Sequence, residues 1–93
     1  MSTKTITLLG DYSHREGFPT ELTMRAPRTR DELTASKLAG SPAEMEILLM
    51  ASVCTVGQDV IEELEITDYR AVSAAYQEFE AGKHLKPKTK VDG

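Results

Sequence analysis

Apolar residues recur along this chain in two rhythms. Near the N-terminus they alternate with polar ones: Ile6 and Leu8 share one side of Thr5–Leu9, and Leu22 and Met24 share one side of Thr20–Arg25. The alternation predicts two short strands. The polar connection Gly10-Asp11-Tyr12-Ser13-His14-Arg15-Glu16-Gly17 has glycine at each end, so an antiparallel hairpin with a long loop is the simplest arrangement. An isolated hairpin is marginal in water, so its apolar face needs a helix beneath it. Phe18-Pro19 precedes the second strand, where a residue without an N–H suits a strand start.

Beyond Pro27 the rhythm becomes helical. Thr29-Arg30-Asp31-Glu32 reads as a capping box, and the helix it opens is weakly patterned, because Leu33 and Leu38 lie about 140° apart and only Ala35 and Ala39 add apolar area. Gly40 supplies its stop. Ser41-Pro42-Ala43-Glu44 repeats the capping logic with Pro42 in the favoured first helical position. The helix that follows, Pro42 to Val56, is apolar on every side, interrupted only by Glu46, Ser52 and Thr55. Such a helix must be covered by its own domain, by a membrane or by another chain. At 1.5 Å per residue it reaches roughly 22 Å and has charged flanks, so a membrane is the poorest of the three. Gly57 should end it. Gln58–Glu65 then gives a brief amphipathic stretch with Val60, Ile61 and Leu64 inward. In the last helix, opened by Ile66-Thr67-Asp68, Tyr69, Val72, Ala75, Tyr76 and Phe79 share one face and should close the core.

The predicted architecture is therefore α+β: an N-terminal two-stranded antiparallel β-hairpin packed on three to four short α-helices, in one domain over residues 1–82. Residues 83–93 hold four lysines and only Leu85 and Val91 as large apolar side chains, which predicts a flexible basic tail.

Composition sharpens this picture. A 93-residue chain buries only about 60–65% of the surface it exposes when unfolded, and with two Phe and no Trp the core is thin. A second chain sharing that core, in a homo-oligomer, fits such a sequence. The single Cys54 forms no internal disulfide, and no secretory or lipidation signal is present, so the sequence reads as soluble and cytoplasmic. Net charge is −4, distributed as +2 over residues 1–30, −9 over residues 31–82 and +3 over residues 83–93. An acidic helical body between two mildly basic ends reads first as solvated helix surface; the functional reading beside it is repulsion of nucleic acid or attraction of a basic partner.

Catalytic chemistry finds little to work with. His14 falls in the hairpin loop and His84 in the tail, so neither a zinc site nor a Cys–His nucleophile has suitable spacing, and Cys54 reads as a small core residue. Glu62, Glu63 and Glu65 resemble a metal cluster only by number and read as a solvated helix face. No phosphate-binding glycine loop occurs, and neither a cofactor nor a small-molecule substrate is implied. The tight Gly40-Ser41 turn invites a helix-turn-helix reading, but the second helix carries two Glu and no basic residue, unlike a recognition helix. Arg25, Arg28 and Arg30 form a small basic group without interleaved aromatics, a solubility feature rather than a nucleic-acid site.

One string has a distinctive order. Glu21-Leu22-Thr23-Met24-Arg25-Ala26-Pro27-Arg28-Thr29-Arg30-Asp31, followed by Lys37-Leu38-Ala39-Gly40, an apolar central helix, a short acidic helix and Asp68-Tyr69-Arg70-Ala71-Val72 leading to Phe79, resembles the tail assembly chaperones of Mu-like contractile-tailed phages and prophages. The resemblance spans Thr5 to Phe79; the Asp11–Gly17 loop and the Lys-rich tail depart from it. It implies a non-enzymatic factor of the bacterial host cytoplasm that binds the tape measure protein, and with it other tail proteins, keeps it soluble and leaves before the tail is complete. It also implies a second, extended form made by ribosomal frameshifting. The residues fit this role separately, since an over-apolar helix with Met45 and Met50 suits an adaptable surface; ordinary core packing is the other reading of those methionines, and both hold if one flank is buried and the other faces a partner. The expected partner contacts are Met45, Leu49, Met50 and Val53, with Leu48 and Phe79 in the core. A helical adaptor that self-associates is the alternative.

Overall fold

The computed structural model describes residues 2–85, and the expected flexible tail falls outside the described residues from position 86 onward. Two strands, β1 (Thr3–Thr7) and β2 (Glu21–Arg25), pair antiparallel and are followed by α1 (Thr29–Leu38), α2 (Pro42–Cys54), α3 (Gln58–Glu63) and α4 (Ile66–Glu80). The α+β arrangement of one hairpin and four helices is the one the patterning predicts.

Register gathers the apolar residues on one side. Ile6 faces Leu22 and Lys4 faces Met24, so one side of the hairpin presents buried Ile6, Leu22 and Met24 to the helices. β2 lies against α2 and β1 against α4. Lys4 shares the buried side yet keeps its charge in water: its stem crosses the ring of Phe79 at 5.3 Å from Nζ to the centroid, and Nζ reaches Glu78 at 2.8 Å.

α2 is the shaft of the molecule, in contact with α1, α3, α4 and β2. Its encirclement is confined to the C-terminal half, where Leu49, Met50, Ala51, Val53 and Cys54 are buried. In the N-terminal half, Pro42, Ala43 and Glu46 are exposed and Met45, Ile47 and Leu48 half-buried. Leu48 therefore sits at the margin of the core, whereas Phe79, at 3% exposure, is inside it. Along α4, Val72, Ala75, Tyr76 and Phe79 are buried and Tyr69 half-buried, the face expected from spacing.

The caps show where local chemistry departs from the simplest sequence reading. Ser41 caps α2 as expected: its Oγ accepts from the Glu44 N–H at 3.1 Å, and Glu44 Oε1 accepts from the Gly40 N–H at 2.6 Å. In α1 the box is not made by Thr29 and Glu32. The cap lies one residue earlier, at Arg28, whose backbone N–H donates to Asp31 Oδ2 at 2.7 Å. Asp31 wins the role because its shorter side chain also receives Arg25. α2 ends two residues before Gly57, at a left-handed Thr55 with φ 56°, and the Val56 N–H donates to the Ala51 carbonyl at 3.0 Å. Gly57, with φ −70°, instead opens α3.

Candidate partner-binding surface

Two motifs that stand out in the sequence prove to be joints of the scaffold. The first is Arg25-Ala26-Pro27 with Asp31. Arg25 at the end of β2 grips Asp31 in the first turn of α1 with both guanidinium nitrogens, at 2.9 and 2.8 Å, and Ser52 Oγ of α2 donates to the same carboxylate at 3.3 Å. The Arg25 fork beside it holds the Asp31 carboxyl down at about 2. This joint fixes the direction in which the chain leaves the hairpin. It also removes Arg25 from the small basic group, in which Arg28 and Arg30 remain exposed.

The second joint is Asp68, 2% exposed in the first turn of α4. Its carboxylate accepts from the Leu9 and Gly10 N–H groups, each at 2.9 Å, and from the Tyr12 hydroxyl at 2.6 Å. Tyr12 Oη in turn accepts from the Glu65 N–H at 2.8 Å, satisfying a backbone donor ahead of α4 that has no side-chain cap. Burial alone would raise the Asp68 carboxyl; the three donors outweigh it and hold it below the usual carboxylate range. Gly10 is needed by close approach, since a Cβ there would lie 2.8 Å from Glu65 Cδ and 2.9 Å from Tyr12 Oη.

The long hairpin loop is thereby folded back onto α3 and α4. Tyr12 stacks on Phe18 with centroids 4.4 Å apart, Arg15 pairs with Asp59, His14 Nε2 lies 3.3 Å from Glu63, and the Asp11 N–H donates to Glu65 Oε2 at 3.2 Å. Glu63 and Glu65 thus anchor the loop rather than only facing solvent. Spacing alone does not find this joint; its one sequence signal is an aromatic residue inside an otherwise polar loop.

With these groups engaged in structure, little is left for chemistry. Among the described residues no group of three His, Cys, Asp or Glu side chains has the arrangement of a metal site. Burial pushes the Cys54 thiol up to about 11, so at neutral pH it is a protonated core side chain. No helix of the described residues is long and apolar enough to cross a membrane.

Several large apolar side chains remain exposed. Leu33 and Leu38 on α1 are 55% and 68% exposed, and Ile66 at the start of α4 is 61% exposed. Three grooves flank α2. One, of about 240 Å³, has Met45, Leu49, Met50 and Tyr76 among its lining residues. A second, of about 280 Å³, has Ile47, Leu64, Ile66 and Tyr69. The third, of about 230 Å³, lies towards α1 with Leu38, Leu48 and Val56. Of the four contacts expected from sequence, three share the first groove: Met45 is half-buried, Leu49 and Met50 are buried beneath it at 8% and 2% exposure, and Val53, at 0%, lies in the core away from it.

No curated protein and no solved structure gives a significant match. A family model described as "Phage tail assembly chaperone proteins, E, or 41 or 14" matches residues 5–81, nearly the whole described chain and both joints. The chain belongs to this family of phage tail assembly chaperones.

Proposed function

We propose that this chaperone binds the tape measure protein of its phage in the cytoplasm of the bacterial host, keeps it soluble during tail assembly and is absent from the finished tail. The Mu-like, contractile-tailed setting belongs to the same proposal. It acts by binding, without cofactor or catalysis. The observation that carries the reading is the half-covered N-terminal half of α2, flanked by partly apolar grooves and by the exposed Ile66, on a body whose net charge over residues 31–82 is −9. Exposed apolar area of this kind offers a long apolar client something to bind, while like charge keeps the free chaperones apart. Met45 and the rims of Leu49 and Met50 are contacts in this proposal; Val53 supports them from the core. The experiment is co-purification from cells expressing the neighbouring tail genes with a tagged chaperone. The tape measure protein is the expected partner, and recovery of the chaperone only with copies of itself would replace the proposal by that of a self-associating adaptor.

A further inference from the structure

The two grooves on the outer side of α2 meet at Glu46, which lines both and accepts from the Tyr69 hydroxyl of α4, and together they make a furrow. Ile66 and Tyr69 line the first half and Ser73, Tyr76, Gln77 and Glu80 the second. These positions are spaced three and four residues apart, a single stripe along the whole of α4, and Glu46 of α2 lines both halves. Fourteen residues of rise make the furrow roughly 21 Å long. That is the length of about four helical turns, and a 3-4 spacing is what one helix offers another.

The furrow has apolar residues at its base, Met45, Leu49 and Tyr76 in one half and Ile47, Leu64 and Ile66 in the other, with Ser73 and Gln77 among them, and acidic rims. Glu32 and Glu80 stand at one end and Glu62 at the other, with Glu46 between, and no Lys, Arg or His is among its lining residues. None of these four carboxylates is in an ion pair among the described residues. Their field is felt on the floor: burial first, then Glu32, Glu80 and Asp31, push the Tyr76 hydroxyl up to about 12. Glu46 accepts from the Tyr69 hydroxyl and Glu62 from the Gln58 amide, both neutral donors, so the walls stay net negative, and a partly apolar trough with such walls is complementary to one kind of occupant.

We infer that the furrow between α2 and α4 takes an amphipathic helix of the client, with apolar anchors at 3-4 spacing and Lys or Arg on both flanks. This rests on the proposed client-binding role and specifies where and by what chemistry it is carried out. Helix-in-groove recognition uses this combination: apolar anchors for affinity, flanking charge for selection.

The test uses two synthetic 21-residue helical peptides with identical Leu anchors, one flanked by Lys and one by Glu, titrated into the full chain and followed by fluorescence anisotropy. The Lys peptide should bind with its amide shift changes centred on Ile66, Ser73 and Glu80, and should weaken at roughly 0.5 M salt. Converting Glu32, Glu46 and Glu80 to Gln together should weaken it about tenfold, while Glu16→Gln with Glu21→Gln, exposed on the hairpin, should change it less than about twofold. Circular dichroism checks that each variant is folded; Ser73→Arg, which blocks the furrow floor, is the independent second variant and should also abolish binding. Equal binding of both peptides, equal loss from the hairpin variant, or sedimentation of the free chain as a dimer closed over the furrow overturns the inference. With the tape measure protein co-expressed, a soluble yield maintained by the furrow variants overturns the furrow but leaves the chaperone reading standing; no gain in soluble yield with the unaltered chain overturns that reading whatever the peptides do.

Discussion

Replacing Asp68 should be among the most damaging single changes this chain can undergo. Its carboxylate is the acceptor for two backbone N–H groups and one hydroxyl, all inside a nearly dry joint. A hydrogen bond to a charged group contributes about 1.5–3 kcal/mol net, and donors left unpaired in a buried site cost at least as much, though the three are not additive. Asp68→Ala should therefore lose about 3–5 kcal/mol, out of a total of about 5–14 kcal/mol for a domain of this size. Asp68→Asn keeps one acceptor oxygen but turns an NH₂ towards a donor, and should lose about 1–3 kcal/mol. Urea denaturation followed by circular dichroism measures both, with the midpoint of Asp68→Ala falling by roughly 2–4 M at unchanged slope. A double-mutant cycle with Tyr12→Phe should return a coupling of about 1 kcal/mol or more. Since the folded carboxyl lies below its ordinary value, its contribution is fully present above the unfolded pKa of about 4 and is lost as pH falls through the folded value. An Asp68→Ala loss below about 1 kcal/mol would show that the loop is not held by this residue.

The Arg25–Asp31 joint carries a related signature: with the Asp31 carboxyl at about 2, its share of stability is present above about pH 4 and disappears as pH falls through 2, so unfolding curves of Asp31→Asn should converge on those of the parent over that window. That share is about 1–2 kcal/mol after allowing for screening at the more exposed Arg25. Thr55→Gly should raise stability by about 0.5–1 kcal/mol, seen as a higher thermal midpoint, because a β-branched residue is held at φ 56°. Phe79→Ala should cost about 3–5 kcal/mol by urea denaturation, while Leu48→Ala, at the margin of the core, should cost less than half as much.

Much of the architecture is legible because burial is periodic. Leu22 and Met24 announce a half-buried strand, and Val72, Ala75, Tyr76 and Phe79 announce a helix face, and both lie where their spacing puts them. Ser41-Pro42 likewise fixes a helix start, since proline at the first helical position costs nothing and the serine oxygen satisfies a free donor. The misplacements concern choices that pattern does not govern. Thr29-x-x-Glu32 and Arg28-x-x-Asp31 compete for one helix start, and the winner is decided by Arg25, six residues away and across a strand end. Gly57 looks like a helix stop, yet Thr55 takes the left-handed position, which lets Gly57 open α3. The proposed binding surface rests on an excess of apolar area on α2 that is legible in the sequence, but the side on which that area lies is not. An all-round apolar helix has no moment to orient it, so Val53 and Met45 look equivalent in sequence while the fold buries one and leaves the other at a rim. The joint of Tyr12 with Asp68 lies beyond periodicity altogether, since it links positions 56 residues apart.

If the groove-lined side of α2 holds a client in solution, this shows in the soluble fraction of the tape measure protein co-expressed with this chain, with its Ile66→Lys and Met45→Lys variants, and with an empty vector. Both variants change side chains at the surface of the furrow, so each should remain folded by circular dichroism. The account predicts a large soluble fraction with the unaltered chain and a fall towards the empty-vector level with folded variants. A soluble fraction no higher with the unaltered chain than with the empty vector contradicts it.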